Sequence, residues 1–79
     1  MKIHYEEGSA VLQFPYDERM VRMCHVMGGK YIGTERAWEI NEPVFVKMIR
    51  WVEKLESEGR GSFTQLLADE MNLIIHRSQ

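Results

Sequence analysis

The stretch FPYDERMVRMCHVMGGKYIGTERAWEI, residues 14–40, carries three signals in succession: one amphipathic helix, a Gly-Gly break and a tight hairpin that returns through Trp38. Met20, Met23, Cys24 and Met27 recur at the i, i+3, i+4, i+7 spacing that places them on one helical face, which is the core side. On the same wheel Glu18, Arg22 and His25 fall on the opposite, wet side, with Arg19 on the flank. Asp17 can accept from the unpaired N–H groups of a first turn, and Glu18 complements its positive end, so the helix is expected to begin at Asp17 or Glu18. Gly28-Gly29 stops it, because glycine enters the left-handed conformation that helix C-termini favour. Lys30-Tyr31-Ile32 and Arg36-Ala37-Trp38-Glu39-Ile40 then flank the turn Gly33-Thr34-Glu35 with the aromatic and β-branched content of a hairpin. No Gly-x-Gly-x-x-Gly or Gly-Lys-Ser/Thr pattern follows the two glycines, so they do not read as a phosphate loop.

Toward the N-terminus, Lys2-Ile3-His4-Tyr5-Glu6 alternates polar and apolar, Glu7-Gly8-Ser9 has turn chemistry, and residues 10–14 resume a strand-like run. A first hairpin is expected there, with Ile3, Tyr5, Leu12 and Phe14 on its core face, ended by Pro15, which cannot donate to a ladder. Toward the C-terminus, Asn41 can cap and Pro43 suits a first turn, so a second helix is expected from about Glu42 to Glu58, stopped by Gly59. Val44, Phe45, Met48, Ile49, Val52 and Leu55 form its apolar face, Trp51 sits at the edge, and Lys47, Arg50 and Lys54 make a short basic stripe. Ser62 and Gln65 have capping-box spacing, so a third helix starts there. Glu70 falls within its apolar stripe as an edge residue whose head reaches water. The run Leu73-Ile74-Ile75 has strand composition, which leaves residues 72–76 open between helix and strand.

The resulting expectation is one α+β domain over residues 1–79: two β-hairpins in one antiparallel sheet packed by two to three helices, ordered ββαββαα. The apolar fraction of 44% and charged fraction of 28% are those of a globular chain, and the net charge of −2 excludes a polycation that coats nucleic acid. The lone cysteine, Cys24, reads as a buried hydrophobe in a reducing compartment, and no apolar run can span a bilayer, so a soluble, cytoplasmic protein without a membrane partner is expected. His4, His25 and His76 lie in three separate elements with no HExxH, CxxC or short-range Cys-His pairing, so neither a metal nor another cofactor is expected. The carboxylates cluster only as helix-surface Glu, and Asp69 and Glu70, as sequence neighbours, cannot project the same way. The chain therefore reads as a binding module and not an enzyme.

The order apolar-x-Phe-Pro-Tyr-Asp, an amphipathic helix, Met-Gly-Gly-Lys-Tyr, a short turn, then Arg-Ala-Trp-Glu-Ile resembles the HARP-like domain of annealing helicases and fork-remodelling ATPases. The likeness covers about residues 11–55, with Tyr16, Asp17, Tyr31 and Trp38 as anchors, and it departs at His25, where the family usually has Lys, and at Ile32, where an acid is usual. It implies recognition of branched or single-stranded DNA beside a motor. Aromatic faces stack on unpaired bases while Arg and Lys hold the backbone. The candidate nucleic-acid contacts are Arg19, Arg22, His25, Lys30, Tyr31 and Arg36, and Trp38 is expected in the core. One expected function is a small DNA-binding accessory acting beside a helicase or recombination enzyme. The other is a protein-interaction module, phage- or mobile-element-encoded, that inhibits or adapts a nucleic-acid-processing or defence complex without touching DNA. The acidic balance favours the second and the resemblance the first.

Overall fold

In the computed structural model, which describes residues 1–77, the elements run ββαββαα, the expected α+β order. Strands β1 (Lys2–Glu6), β2 (Ser9–Gln13), β3 (Lys30–Ile32) and β4 (Ala37–Ile40) form one antiparallel sheet in the order β1-β2-β4-β3. The chain forms two compact units, Met1–Val46 and a second beginning at Lys47.

In the first unit, β1 and β2 are joined by Glu7 and Gly8, both with positive φ (47° and 85°), as the twist of a two-residue hairpin loop requires. The pairing register sets Ile3, Leu12, Trp38 and Tyr31 in one row across all four strands. Residues two apart share a sheet face, so Ala10 and Ile40 lie on that same side, and both are fully buried. Val11 and Ala37 point to the other side and are equally buried. The expected core face of the first hairpin was therefore too narrow. Because β2 lies between β1 and β4, its middle is buried on both faces, while Ile3, Tyr5 and Phe14 are only half-buried.

Helix α1 (Glu18–Val26) follows from its caps. Asp17 Oδ1 accepts from the N–H groups of Arg19 and Met20 at 3.0 and 3.3 Å. At the far end Gly28 has φ +73°, its N–H reaches the carbonyl of His25, and the Gly29 N–H reaches that of Cys24 at 2.8 Å. These are the two bonds of a Schellman cap, so the glycine pair ends the helix as expected. Met20, Met23, Cys24 and Met27 are all buried. The second hairpin differs in one residue from its expected form. Its loop is residues 33–36, and Arg36 lies in the turn with φ +51°, not in the returning strand.

Helix α2 (Pro43–Ser57) buries Val46, Met48, Ile49, Val52 and Leu55, whereas Val44 is half exposed and Phe45 only partly buried. The apolar face is thus rotated away from Val44 toward Val46 relative to the stripe expected from spacing. In the second unit, Gly59 (φ +76°) and Arg60 donate to the carbonyls of Glu56 and Leu55 and stop the helix by the same Schellman geometry. Ser62 Oγ accepts from the Gln65 N–H and caps α3 (Phe63–Arg77). A helix thus occupies residues 72–76, and the alternative of a terminal strand does not hold. Half-buried Glu70 accepts from Trp51 Nε1 at 3.3 Å, and Lys54 Nζ lies 5.7 Å over the Trp51 ring. No described helix is long and apolar enough to cross a membrane.

Cys24 is fully buried, and burial pushes its thiol up to about 12 from 9.0. The native thiol is expected to resist a thiol reagent until denaturant is added; fast native labelling would show that α1 is rotated. In the unfolded chain the thiol ionises near pH 9.0, but in the folded chain only near 12. Its contribution is therefore intact below the lower value and is lost as pH rises between the two, by up to about 1.4 kcal/mol per pH unit. Alkaline titration of Cys24→Ala against the parent isolates this loss.

Candidate nucleic-acid interface

The candidate site grows from the row that ends in Tyr31. Tyr31 and Trp38 are register partners on β3 and β4, and their rings lie 5.3 Å apart at a tilt of 58°. The His25 ring, in the last turn of α1, meets Trp38 edge-on at 4.9 Å and 74°. Three rings from a helix and two strands therefore touch in series, a geometry aromatic pairs favour. The connector Phe14-Pro15-Tyr16 leaves β2 beside them, because Pro15 ends the ladder and Asp17 already serves as the helix cap. Together Phe14, Pro15, Tyr16, Tyr31, Arg36 and Trp38 line a cleft of about 280 Å³.

Exposure separates the roles of its walls. Trp38 is 9% exposed, whereas Tyr31 is 55% and Tyr16 82% exposed. The tyrosines offer free ring faces, and Trp38 is the buried support on which Tyr31 leans. Among the described residues, Arg36 is the one cation lining the cleft. Its left-handed backbone is one that non-glycine residues with long side chains adopt rarely, at a cost on the order of 1–3 kcal/mol.

Of the six expected contacts, the structure gathers Tyr31 and Arg36 in the cleft and links His25 to it through Trp38. His25 is exposed as expected, yet its ring rests on the core tryptophan. Arg22 lies one turn before His25 and donates to Glu18 Oε1 at 2.9 Å, a solvent-exposed i, i+4 pair. Lys30 precedes Tyr31 in the same strand, so its side chain leaves the opposite face of the sheet, in register with Glu39. Arg19 is exposed in the first turn of α1 and does not line the cleft. The sequence reading missed Phe14, Pro15 and Tyr16 as site residues. The available signal was a large aromatic just before a helix cap, with no place in either periodic pattern.

A second cleft of about 400 Å³ adjoins the first and shares Phe14, Pro15 and Arg36 with it. Its remaining walls are Met1, Lys2, Gln13 and Glu35, and Gln13 Nε2 donates to the Glu35 carbonyl at 2.8 Å, holding the turn against β2. Among the described residues no group of three or more His, Cys, Asp or Glu side chains is arranged to hold a metal ion. No family model, curated protein or solved structure matches this chain.

Proposed function

We propose that this chain is a small non-enzymatic binding module for single-stranded or branched DNA, acting beside a helicase or recombination enzyme, with the aromatic cleft as its contact. The observation that carries this reading is the convergence of two exposed tyrosines and Arg36 on the Trp38 row. A base stacked on such a ring contributes about 1–3 kcal/mol, and every base has a face to stack. Arginine stands at a left-handed position where glycine would be unstrained, which supports a role for its side chain beyond the turn. A second reading, a protein-interaction module without DNA contact, draws on the charges: residues 1–46 hold five Lys and Arg against seven Asp and Glu. An aromatic-lined groove of this kind also suits an extended proline-rich peptide.

Arg36→Gly separates the readings from the fold. The substitution relieves a left-handed residue, so urea denaturation should show stability unchanged or raised, within about 1 kcal/mol of the parent. Affinity for oligo(dT) at low salt should fall about tenfold or more, since hydrogen bonds to charged groups are worth roughly 1.5–3 kcal/mol. Wild-type binding should be weak, prefer unpaired over duplex DNA and fade steeply toward physiological salt. Absence of binding to single-stranded, forked and duplex DNA at low salt would leave the protein-partner reading.

A further inference from the structure

We infer that the two adjoining clefts form one groove for a continuous single strand: one nucleotide in the aromatic cleft, its neighbour beside Lys2, and the intervening phosphate on Arg36. The inference rests on the single-strand reading and adds a second compartment, a new cation and an expected repulsive group. Phe14, Pro15 and Arg36 belong to both clefts, so the wall between them is shared, with no separating element. Tyr31 and Trp38 stand on one face of the sheet. Lys2 and Gln13, register partners at the end of the outer hairpin, project to the other face by the strand alternation. The groove therefore passes round the end of the sheet, with Arg36 at the bend.

The compartments differ in chemistry. The first is built of rings and suits a base. The second has a lysine, a glutamine amide and a carboxylate, and offers little to stack on beyond Phe14, which suits sugar and phosphate. Gln13 is engaged with the turn, so Lys2 joins the shared Arg36 as a side-chain cation lining this compartment and can meet a phosphate there. Glu35 lines the same compartment and opposes a polyanion. Together they predict opposite signs: a strand entering the second cleft is held by Lys2 and resisted by Glu35. A proline-rich peptide has no backbone charge and would give no such pair of signs.

The test is fluorescence anisotropy of a labelled oligo(dT) with the full chain, titrated across salt, for wild type, Tyr31→Ala, Lys2→Gln and Glu35→Gln. Lys2→Gln should weaken binding several-fold and flatten the log–log salt slope by about 0.7, the value of one single-strand phosphate contact. Glu35→Gln should tighten binding. Both substitutions lie on exposed side chains, and circular dichroism melts check that each variant is folded. If Tyr31→Ala abolishes binding while Lys2→Gln keeps both affinity and slope, the second compartment is overturned and the aromatic cleft stands. Weaker binding by Glu35→Gln would also overturn the inference, because the carboxylate would then be a contact. If wild type does not bind the oligonucleotide even at low salt, the single-strand reading itself fails.

Discussion

Trp38→Ala should lower stability by roughly 3–5 kcal/mol, the range for deleting a buried aromatic from a core. Trp38 is 9% exposed on a central strand, in register with Leu12 on one side and Tyr31 on the other. Removing its ring from about 200 Å² of burial forfeits about 5 kcal/mol at 25 cal/mol per Å², before any relaxation. That figure is an upper bound, since the unfolded chain already buries part of this area and the site relaxes. The pairing of Trp38 with His25 and Tyr31, about 0.5–1.5 kcal/mol per favourable aromatic pair, offsets part of that reduction and leaves the net loss in the stated range. Small domains have roughly 5–15 kcal/mol in total and short chains lie at the low end, so a large fraction of the variant should be unfolded at room temperature. Urea denaturation followed by circular dichroism measures this directly. Trp38→Phe, which keeps a ring against Tyr31, should recover much of the loss. If Trp38→Ala keeps the parental melting temperature, the tryptophan is not part of the core and becomes a stacking surface in its own right.

What sequence reading could recover follows from the range of each interaction. Asp17, Gly28 and Gly59 act on backbone groups within five residues, so the cap and both helix stops were legible from the chain. The element order was legible for the same reason. Pairing of β2 with β4 joins residues more than twenty-five positions apart, and alternation within each hairpin says nothing of which hairpin edge meets which. Val11 and Ala37 were therefore missed as core, since each looked like the outer face of a local hairpin. Within the site, the separation of Lys30 from Tyr31 was available in principle, because strand neighbours cannot share a face. The contact of His25 with Trp38 was not, because a helical wheel records direction around one axis and not how far a large ring on another element reaches. Tyr16 escaped because irregular connectors carry no periodic signal, and binding residues are often found there.

The two glycines at the helix–hairpin junction should respond to alanine very differently, although they are neighbours with the same composition signal. At Gly28 an added Cβ meets nothing within 4 Å, so the cost comes from the backbone alone. With φ +73°, a left-handed alanine loses about 1–2 kcal/mol, partly offset by the lower entropy of its unfolded chain, leaving about 1 kcal/mol or less. At Gly29 the added Cβ would lie 2.6 Å from Ile40 Cδ1 and 2.8 Å from the Cys24 carbonyl oxygen. Ile40 is fully buried and has little room to turn aside. The carbonyl is fixed by the Gly29 N–H bond that closes the helix. Overpacking of this kind costs about 1–3 kcal/mol, and losing the cap bond adds about 0.5–1.5. Gly29→Ala should therefore cost roughly 2–4 kcal/mol, several times the effect at Gly28. Urea midpoints for the two variants, compared at equal slope, measure the difference. Because β3 begins at Lys30 and carries Tyr31 onto Trp38, the same displacement should disturb the aromatic cleft, so Gly29→Ala should lose oligo(dT) binding in step with structure while Gly28→Ala keeps both. Equal costs at the two positions would mean that the helix end does not approach Ile40 and Trp38 as closely as the geometry places it.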